Sequence, residues 1–333
     1  MNAIELENSL IELIDKKLPA FIWGSPGIGK SSIVKEVAKK LDLEFIDLRL
    51  SLLDPTDLKG IPFFDSSSKE AVWAPPNFLP KDKTSKGLLF LDEINTAPPT
   101  IQAAAYQLIL DRKIGEYELP KNWAIVAAGN NLLDMGAAFH MPAPLANRFV
   151  HLDLEVDFNA WKKWAYRANI NSLVIAFLQY DNSKLFNFDP QVDIKAFATP
   201  RSWEYVSTIL DFDLEERLKY KIILGSIGED AANAFFAFLK VAKELPDFDL
   251  ILKGEEVEFK NEANILFAIV TGVVLRAKDA IKEELENIIK FAMKLPSEFS
   301  IMLIKDLEQN GISLYDLESF NSWVEKFSYL LEE

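Results

Sequence analysis

The spacing of hydrophobic and polar residues changes once along the chain. Up to about residue 156, short apolar runs alternate with stretches of helical spacing, and such runs are typical of strands buried in a parallel sheet. The runs that predict strands lie at 20–23, 44–50, 87–91, 123–128 and 149–156. From residue 157 onward, helical spacing dominates. The pattern therefore predicts an α/β domain with a doubly wound parallel sheet at 1–156 and an all-α part at 157–333.

Helical spacing predicts the other elements as well. In the α/β part it indicates helices over 4–18, 30–41 and 98–111, and a small hairpin at 113–119. In the second part the candidate helices are 159–168, 171–180, 200–210, 213–224, 229–244, 262–276, 278–293, 297–309 and 319–331. Residues 51–86 are interrupted by proline, glycine and serine clusters, so we expect an irregular excursion with one short strand at 71–74. An excursion of this length in a compact domain is often functional.

A glycine-rich loop follows the first predicted strand and opens a helix. Gly24, Gly29, Lys30 and Ser31 fit the Walker A pattern G-x-x-x-x-G-K-[ST]. Glycines let successive backbone N–H groups point at a phosphate, and the following helix adds its positive N-terminal end. The alternative is a chance match, which the flanking strand and helix disfavour. The predicted ATP-binding residues are Gly24, Ser25, Pro26, Gly27, Ile28, Gly29, Lys30, Ser31 and Ser32.

Two acids end the buried run at 87–91. Asp92 and Glu93 would emerge at the carboxyl end of a strand, which is where α/β sheets place their ligands. This is a Walker B pattern: the Ser31 hydroxyl and Asp92 would hold Mg²⁺, and Glu93 would polarise the attacking water. We expect the pair at the tip of a strand adjoining the one that leads into the phosphate loop. The alternative is an acidic turn after a core strand.

Three further polar residues stand at informative positions. The run at 123–128 ends in Gly129-Asn130-Asn131, which brings an amide to the same sheet edge, and Arg148 precedes the last predicted strand. Arg201 follows a good N-cap, Thr199, and a proline at the first helical position. A cation in a first turn opposes the helix dipole unless an anion lies nearby, and a phosphate would serve.

Composition limits the function. The net charge of −15 disfavours broad binding to nucleic acid, which needs a basic face, although a local basic patch could exist. There is no cysteine, and the two histidines, His140 and His151, are isolated in the sequence, so a structural or solvent role is favoured over metal binding. We see no signal peptide and no apolar run long enough for a bilayer, and we expect a cytoplasmic protein without membrane contact.

The order of these motifs resembles the AAA+ ATPases, and several stretches are similar to the MoxR-like group. The stretches that carry the resemblance are 50–60, 91–95, 127–130, 145–149 and 199–202. The resemblance covers roughly residues 15–210. It implies an AAA+ nucleotide-binding core, an α-helical lid and an ATP-driven homo-oligomeric ring, usually a hexamer. The helices beyond about 210 exceed a minimal lid and form a C-terminal extension of unassigned role.

The resemblance also implies residue roles. Asn130 matches the sensor-1 position, with Asn131 as the neighbouring alternative; Arg148 matches the arginine finger that reaches an adjacent subunit; Arg201 matches sensor 2. The alternatives are a surface ion pair of Arg148 with an acid such as Asp153 and a solvated Arg201. The excursion at 51–86 would carry the helix-2 insert and 112–120 the pre-sensor-1 hairpin, both facing the pore or a client.

The expected function is ATP hydrolysis with Mg²⁺, coupled to remodelling or maturation of a protein client that the sequence does not name. One rival is a small-molecule kinase on a P-loop scaffold, which the acid pair and the position of Arg148 disfavour. A second is a nucleotide-gated scaffold with little hydrolysis, which an intact Glu93 disfavours. A third is a nucleic-acid motor of the same superfamily, which the acidic balance disfavours.

Overall fold

The structure is a computed structural model that describes residues 1–67, 69–131, 141–191, 195–241 and 245–327. The chain divides into two compact units. The first is Met1–Asp157 with the short segment Asp189–Val192, and the second is Phe158–Phe188 with Asp193–Glu333. The two units are described separately below.

The first unit contains the strands of the described residues. They are β1 (Ala20–Trp23), β2 (Glu44–Arg49), β3 (Ile61–Asp65), β4 (Glu70–Ala74), β5 (Lys86–Asp92), β6 (Lys113–Ile114), β7 (Tyr117–Glu118), β8 (Asn122–Gly129) and β9 (Val150–Asp153). Its helices are α1 (Ala3–Asp15), α2 (Lys30–Lys40), α3 (Pro55–Lys59), α4 (Pro99–Asp111) and α5 (Ala143–Ala146). The sequence predicted β9 over 149–156; the paired strand is shorter.

Five strands form a parallel sheet in the order β2-β5-β8-β1-β9. β8 therefore lies between β1 and β5. The expectation that Asp92 and Glu93 end a strand adjoining β1 was wrong by one strand. Parallel neighbours are joined through crossover segments, so the order along the chain does not fix the lateral order. The carboxyl ends of β1, β8 and β5 nevertheless share one edge of the sheet.

Helices cover the sheet, and its central strands are buried almost throughout. Leu88 to Asp92 on β5 and Trp123 to Gly129 on β8 are buried at every position. Such unbroken burial matches the continuous apolar runs in the sequence and is what a parallel sheet covered on both faces requires. α1 begins with a capping box in which Asn2 accepts from backbone N–H groups and Glu5 bonds back to the Asn2 N–H.

The segment at 51–86 is more ordered than the sequence indicated. Only the strand at 71–74 was expected, but it pairs as β4 with β3 in an antiparallel hairpin, and α3 precedes them. Pro62 argued against a strand there, because proline cannot donate to a ladder; an isolated two-stranded hairpin leaves it an edge position. Ile61, Phe63 and Phe64 are 67%, 51% and 69% exposed, so this hairpin presents apolar side chains to solvent.

The second unit is helical. Its helices are α6 (Phe158–Arg167), α7 (Ser172–Tyr180), α8 (Pro200–Leu210), α9 (Glu216–Ile227), α10 (Glu229–Val241), α11 (Phe248–Leu252), α12 (Ala263–Arg276), α13 (Lys282–Ala292), α14 (Ser297–Gln309) and α15 (Glu318–Phe327). The predicted helices are confirmed within a few residues, except that α11 was missed and that the ends of 229–244 and 319–331 lie outside the described residues. None of the described helices combines the length and apolar character needed to cross a bilayer.

Candidate nucleotide site

The phosphate loop joins β1 to α2, as the sequence predicted. Gly27 and Gly29 have φ angles of 77° and 101°, a region that side chains with a Cβ rarely adopt. A Cβ at Gly29 would meet no atom within 4 Å, so the backbone conformation and not crowding is what requires glycine there. α2 begins directly at Lys30, and its first N–H groups therefore face the loop.

Lys30 lies inside this loop. Its side chain is 7% exposed, and its Nζ donates to the carbonyl oxygens of Gly24 at 2.6 Å and Ser25 at 3.0 Å. The same Nζ donates to Asn130 Oδ1 at 2.8 Å. The ammonium group is thus held where the loop and the end of β8 meet, and phosphate oxygens are alternative acceptors for the same donors.

Ser31 and Asp92 form the second contact across the sheet edge. Ser31 Oγ donates to Asp92 Oδ2 at 2.7 Å, and the Glu93 backbone N–H donates to Asp92 Oδ1 at 2.9 Å. Asp92 is only 6% exposed. A hydroxyl and one carboxylate side by side are the small protein ligand set that Mg²⁺ takes together with phosphate and water oxygens. The residues present therefore fit Mg²⁺.

Glu93 follows Asp92 with a left-handed backbone, at φ 58°. Its carboxylate accepts a hydrogen bond from Ser51 Oγ and lies 3.8 Å from Arg49 Nε. Arg49 and Ser51 come from the end of β2 and the turn after it. Sequence reasoning gave neither a role, because nothing local shows that the end of β2 lies beside the end of β5.

Asn95 fixes the predicted sensor residue. Its Nδ2 donates to the Asn130 carbonyl at 2.7 Å, and its Oδ1 accepts from the Asn130 N–H at 3.2 Å. A Cβ on Gly129 would lie 2.5 Å from Asn95 Oδ1, so only glycine lets this amide approach. Asn130 is also the member of the Asn130–Asn131 pair whose amide oxygen accepts from Lys30. The sequence gave Asn95 no role; a polar residue just after the acid pair was the available signal.

A third carboxylate lies near the acid pair. Partial desolvation of Asp47 on β2, followed by the charge of Asp92, raises the pKa of its carboxyl above the usual value. Arg49 and Lys35 act in the opposite direction. The negative charge of Asp92, which acts on this carboxyl, would also favour a cation bound beside it.

The structure brings Lys30, Ser31, Asp92, Glu93 and Asn130 together. Arg148 lies in the turn after α5 and is exposed, and no ion pair with Asp153 forms among the described residues. Arg201 lies in the helical unit, exposed in the first turn of α8.

The start of α8, which carries Arg201, has the cap that the sequence predicted. Thr199 is the N-cap of α8 and shares a capping box with Ser202, and Pro200 opens the helix, as predicted. The approach of Arg201 to a nucleotide stays a prediction. His140 lies outside the described residues.

A strand, a glycine-rich loop ending in Gly-Lys-Ser and a helix form the P-loop motif at the edge of a parallel sheet, which makes this edge a candidate nucleotide site. Residues 20–151 match the model of the ATPase family associated with various cellular activities (AAA). The match covers the sheet and the candidate site but less than half of the 333-residue chain.

The chain is also similar to solved structures, at low identity. A protein of Cytophaga hutchinsonii, named only as a candidate ATPase, is 16% identical over 92% of this chain and 88% of that one, with a TM-score of 0.40. NtrX from Brucella abortus in complex with ADP is 15% identical over 93% and 68%, with a TM-score of 0.41. A RuvB variant from Thermotoga maritima is 17% identical over 85% of both chains, with a TM-score of 0.36.

Proposed function

We propose that the chain is an ATP-hydrolysing AAA+ ring ATPase of MoxR type that remodels or matures a protein client. One observation carries this proposal: Lys30 of the phosphate loop donates to Asn130, the next residue, Ser31, donates to Asp92, and Glu93 follows Asp92 in the chain. Phosphate-binding, cation-binding and water-activating groups thus share one edge of the sheet.

The chemistry follows from these side chains. Lys30 would bind phosphate oxygens with the donors that now bond Gly24, Ser25 and Asn130. Mg²⁺ bound at Ser31 and Asp92 would neutralise phosphate charge. Glu93 would take a proton from the water that attacks the γ-phosphate, releasing ADP and phosphate. The Asn130 amide would orient that water or the γ-phosphate.

The ring and its arginines belong to the same proposal. An exposed Arg148 with no ion-pair partner among the described residues suits a cation that acts on a neighbouring subunit. It would stabilise transition-state charge there, an effect worth about 10³–10⁵ in rate in GTPases. Arg201 would act in its own subunit and couple hydrolysis to movement of the lid. We favour a hexamer.

The first test concerns Glu93. We expect Glu93→Gln to bind ATP with Mg²⁺ but to release no phosphate, because the amide cannot accept the proton. Lys30→Ala is the matched control and should lose ATP binding itself. Both are measured with a fluorescent ATP analogue and a steady-state phosphate assay. Normal hydrolysis by Glu93→Gln would refute the role of Glu93.

The second test concerns the ring. Arg148→Ala subunits keep Glu93, and Glu93→Gln subunits keep Arg148. We therefore expect each variant alone to be inactive and a mixture of the two to regain turnover, because a mixed interface holds one intact copy of each group. A mixture as inactive as its components would remove the role of Arg148 between subunits.

The client contact is proposed at the β3–β4 hairpin. Ile61, Phe63 and Phe64 are exposed there, and exposed apolar groups in a cluster are typical of protein contacts. Glu93→Gln should trap the ATP-bound complex with its client. Adding Phe63→Ser and Phe64→Ser to that variant should abolish co-purification of the client while ATP binding is kept. Undiminished co-purification would place the client elsewhere.

One observation favours a second candidate, a nucleotide-gated scaffold with little hydrolysis. The Glu93 carboxylate is already engaged by Ser51 and lies near Arg49, so it would have to leave these contacts to serve as a base. A steady-state ATPase assay decides between the two functions: a scaffold would assemble with ATP and release almost no phosphate. Phosphate found on a metabolite instead would indicate a kinase.

A further inference from the structure

A histidine outside the nucleotide-binding network bridges two parts of the first unit. Trp23 Nε1 donates to His151 Nδ1 at 2.9 Å, and His151 Nε2 lies 2.8 Å from the Ala146 carbonyl oxygen. His151 sits on β9 opposite Phe21 of β1, and its ring stacks on that of Trp23 with 20° between the planes. The residue that is isolated in the sequence is therefore doubly hydrogen-bonded in the fold.

The partners fix the tautomer of this ring. An indole N–H can only donate, so His151 Nδ1 must be the acceptor. In the neutral ring the proton then lies on Nε2, which donates to the Ala146 carbonyl. Nδ1 therefore accepts a hydrogen bond and Nε2 donates one. A side chain that replaces His151 must offer both an acceptor and a donor to keep these contacts.

The two hydrogen-bond partners of His151 lie next to the phosphate loop and next to Arg148 in the chain. Trp23 immediately precedes Gly24, the first residue of the phosphate loop. Ala146 ends α5, in the turn that presents Arg148. That turn is closed by the Arg148 N–H donating to the Leu145 carbonyl at 2.9 Å and by the Phe149 N–H donating to the Ala146 carbonyl at 3.2 Å. His151 thus adds a second donor to the carbonyl two residues before Arg148.

We propose that His151 is a positioning residue for Arg148: it ties the turn that carries this arginine to the strand that enters the phosphate loop. The assignment rests on the proposed function, in which Arg148 acts on the neighbouring subunit. The exposed Arg148 is carried by this turn, so the position of the turn sets where its side chain begins. An arginine held about 1 Å out of place loses much of its effect on a transition state.

Aromatic packing alone is the competing explanation. Phe21, Trp23, Phe149 and His151 form one cluster of rings, with centroids 4.3 to 6.3 Å apart. The two explanations separate by substitution. His151→Phe keeps a flat ring but removes both hydrogen bonds, whereas His151→Gln loses the ring but keeps an amide that can donate and accept.

The experiment places each substitution only in the subunit that supplies Arg148. Arg148→Ala subunits, which keep their own Trp23 and His151, are mixed with Glu93→Gln subunits that carry His151→Phe, His151→Gln or neither. Turnover then occurs at sites with a native phosphate loop and a supplied Arg148. We expect His151→Phe to lower the recovered turnover about five- to tenfold, the loss that follows from misplacing one charge-stabilising contact. We expect His151→Gln to keep most of it.

The outcomes distinguish this inference from the function beneath it. Full recovery with His151→Phe, or equal losses with both substitutions, would overturn the positioning role while leaving the ring intact. No recovery with unmodified Glu93→Gln subunits would instead remove the proposed function. Trp23→Phe in the Glu93→Gln subunit is the second variant. It removes the indole donor and keeps an aromatic ring, and it should give a smaller loss than His151→Phe. No loss would also count against the bridge.

Discussion

Buried polar side chains crowd the edge of the sheet, and each has a hydrogen-bond partner. Lys30, Asp92 and Asn95 are 7%, 6% and 3% exposed, yet each donates to or accepts from a named neighbour. A buried polar group without a partner destabilises the folded state by about 1–3 kcal/mol. The hydrogen bonds that organise the site therefore also avoid this loss of stability. Removing one side chain should therefore affect stability and activity together.

Asn95 offers the sharpest test of this coupling. Asn95→Ala would remove the two hydrogen bonds that Asn95 makes to the Asn130 backbone, and we expect it to lower the free energy of unfolding by about 1–3 kcal/mol. It should also lower kcat more than it weakens ATP binding, because Asn130 would lose its fixed orientation. Urea denaturation and steady-state kinetics measure both effects.

A matched control for Asn95 is available on the surface. Asn77 is exposed in the loop after β4, and Asn77→Ala should change neither the urea midpoint nor the turnover. If Asn95→Ala unfolds at the same urea concentration as the native chain, the two hydrogen bonds contribute little and the coupling is disproved.

How far the site could be predicted depends on the range of each signal. Lys30, Ser31 and Asp92 could be proposed from the sequence because a phosphate loop and a strand-end acid are local patterns. Ser51 and Asn95 were not, because their roles exist only once the ends of β2, β5 and β8 lie side by side. His151 is the extreme case, since both of its partners lie in other elements.

At the scale of elements, the start of α15 needs a cap for its first backbone N–H groups. Glu286 of α13 supplies one: its carboxylate accepts from the backbone N–H groups of Glu318 and Ser319, both at 2.9 Å, and from the Ser319 hydroxyl. The first backbone N–H groups of any helix have no acceptor within that helix. In α15, two of them are bonded by a residue of another helix. The Ser319 hydroxyl, with the two backbone N–H groups, lowers the pKa of Glu286.

We therefore expect Glu286→Ala to destabilise the helical unit by about 0.5–2 kcal/mol, the usual effect of losing a helix cap. The effect should depend on pH. A lowered pKa means that the folded state favours the carboxylate, so the contribution is present above the ordinary pKa of a glutamate and is lost as the pH falls through the lowered value. Thermal unfolding at pH 7 and at lower pH measures the difference.

The control for Glu286 is Glu256→Ala, which removes an exposed carboxylate from the loop before α12. Its effect on the unfolding temperature should be close to zero at every pH. A Glu286→Ala effect that stays constant from neutral to acid pH would show that the contact acts through packing and not through the carboxylate.

Elements were predicted well where periodicity is long and poorly where it is short. The helices of the second unit carry two or more turns of apolar spacing, and most of their positions were confirmed. α11 has only five residues, and β3 contains Pro62, so neither offers a clear period. The lateral order of the sheet could not be predicted, because crossover connections leave it open.

At the scale of the whole molecule, the burial of charged groups is restricted, because a buried charge needs a partner. The net charge is −15, and most acids lie at the surface, but Asp306 is 2% exposed. It accepts from Lys162 Nζ at 2.7 Å and from the Tyr166 hydroxyl at 3.2 Å, which joins α6 to α14 across 144 residues of sequence. Burial, with the charge of Asp306 in second place, raises the pKa of Tyr166, so the hydroxyl stays a donor.

The buried pair of Lys162 and Asp306 can be tested by removing its cation. Lys162→Met should destabilise the helical unit by about 3–5 kcal/mol, because it leaves the Asp306 charge buried without a partner. Adding Asp306→Asn should restore most of that loss, since the amide is neutral and still accepts from Tyr166. The surface pair of Lys86 and Asp42, at 3.3 Å with both side chains exposed, is the control, and Lys86→Met should cost no more than about 1 kcal/mol. Equal losses for the single and double variants in urea denaturation would show that packing around Lys162, and not its charge, holds α6 against α14.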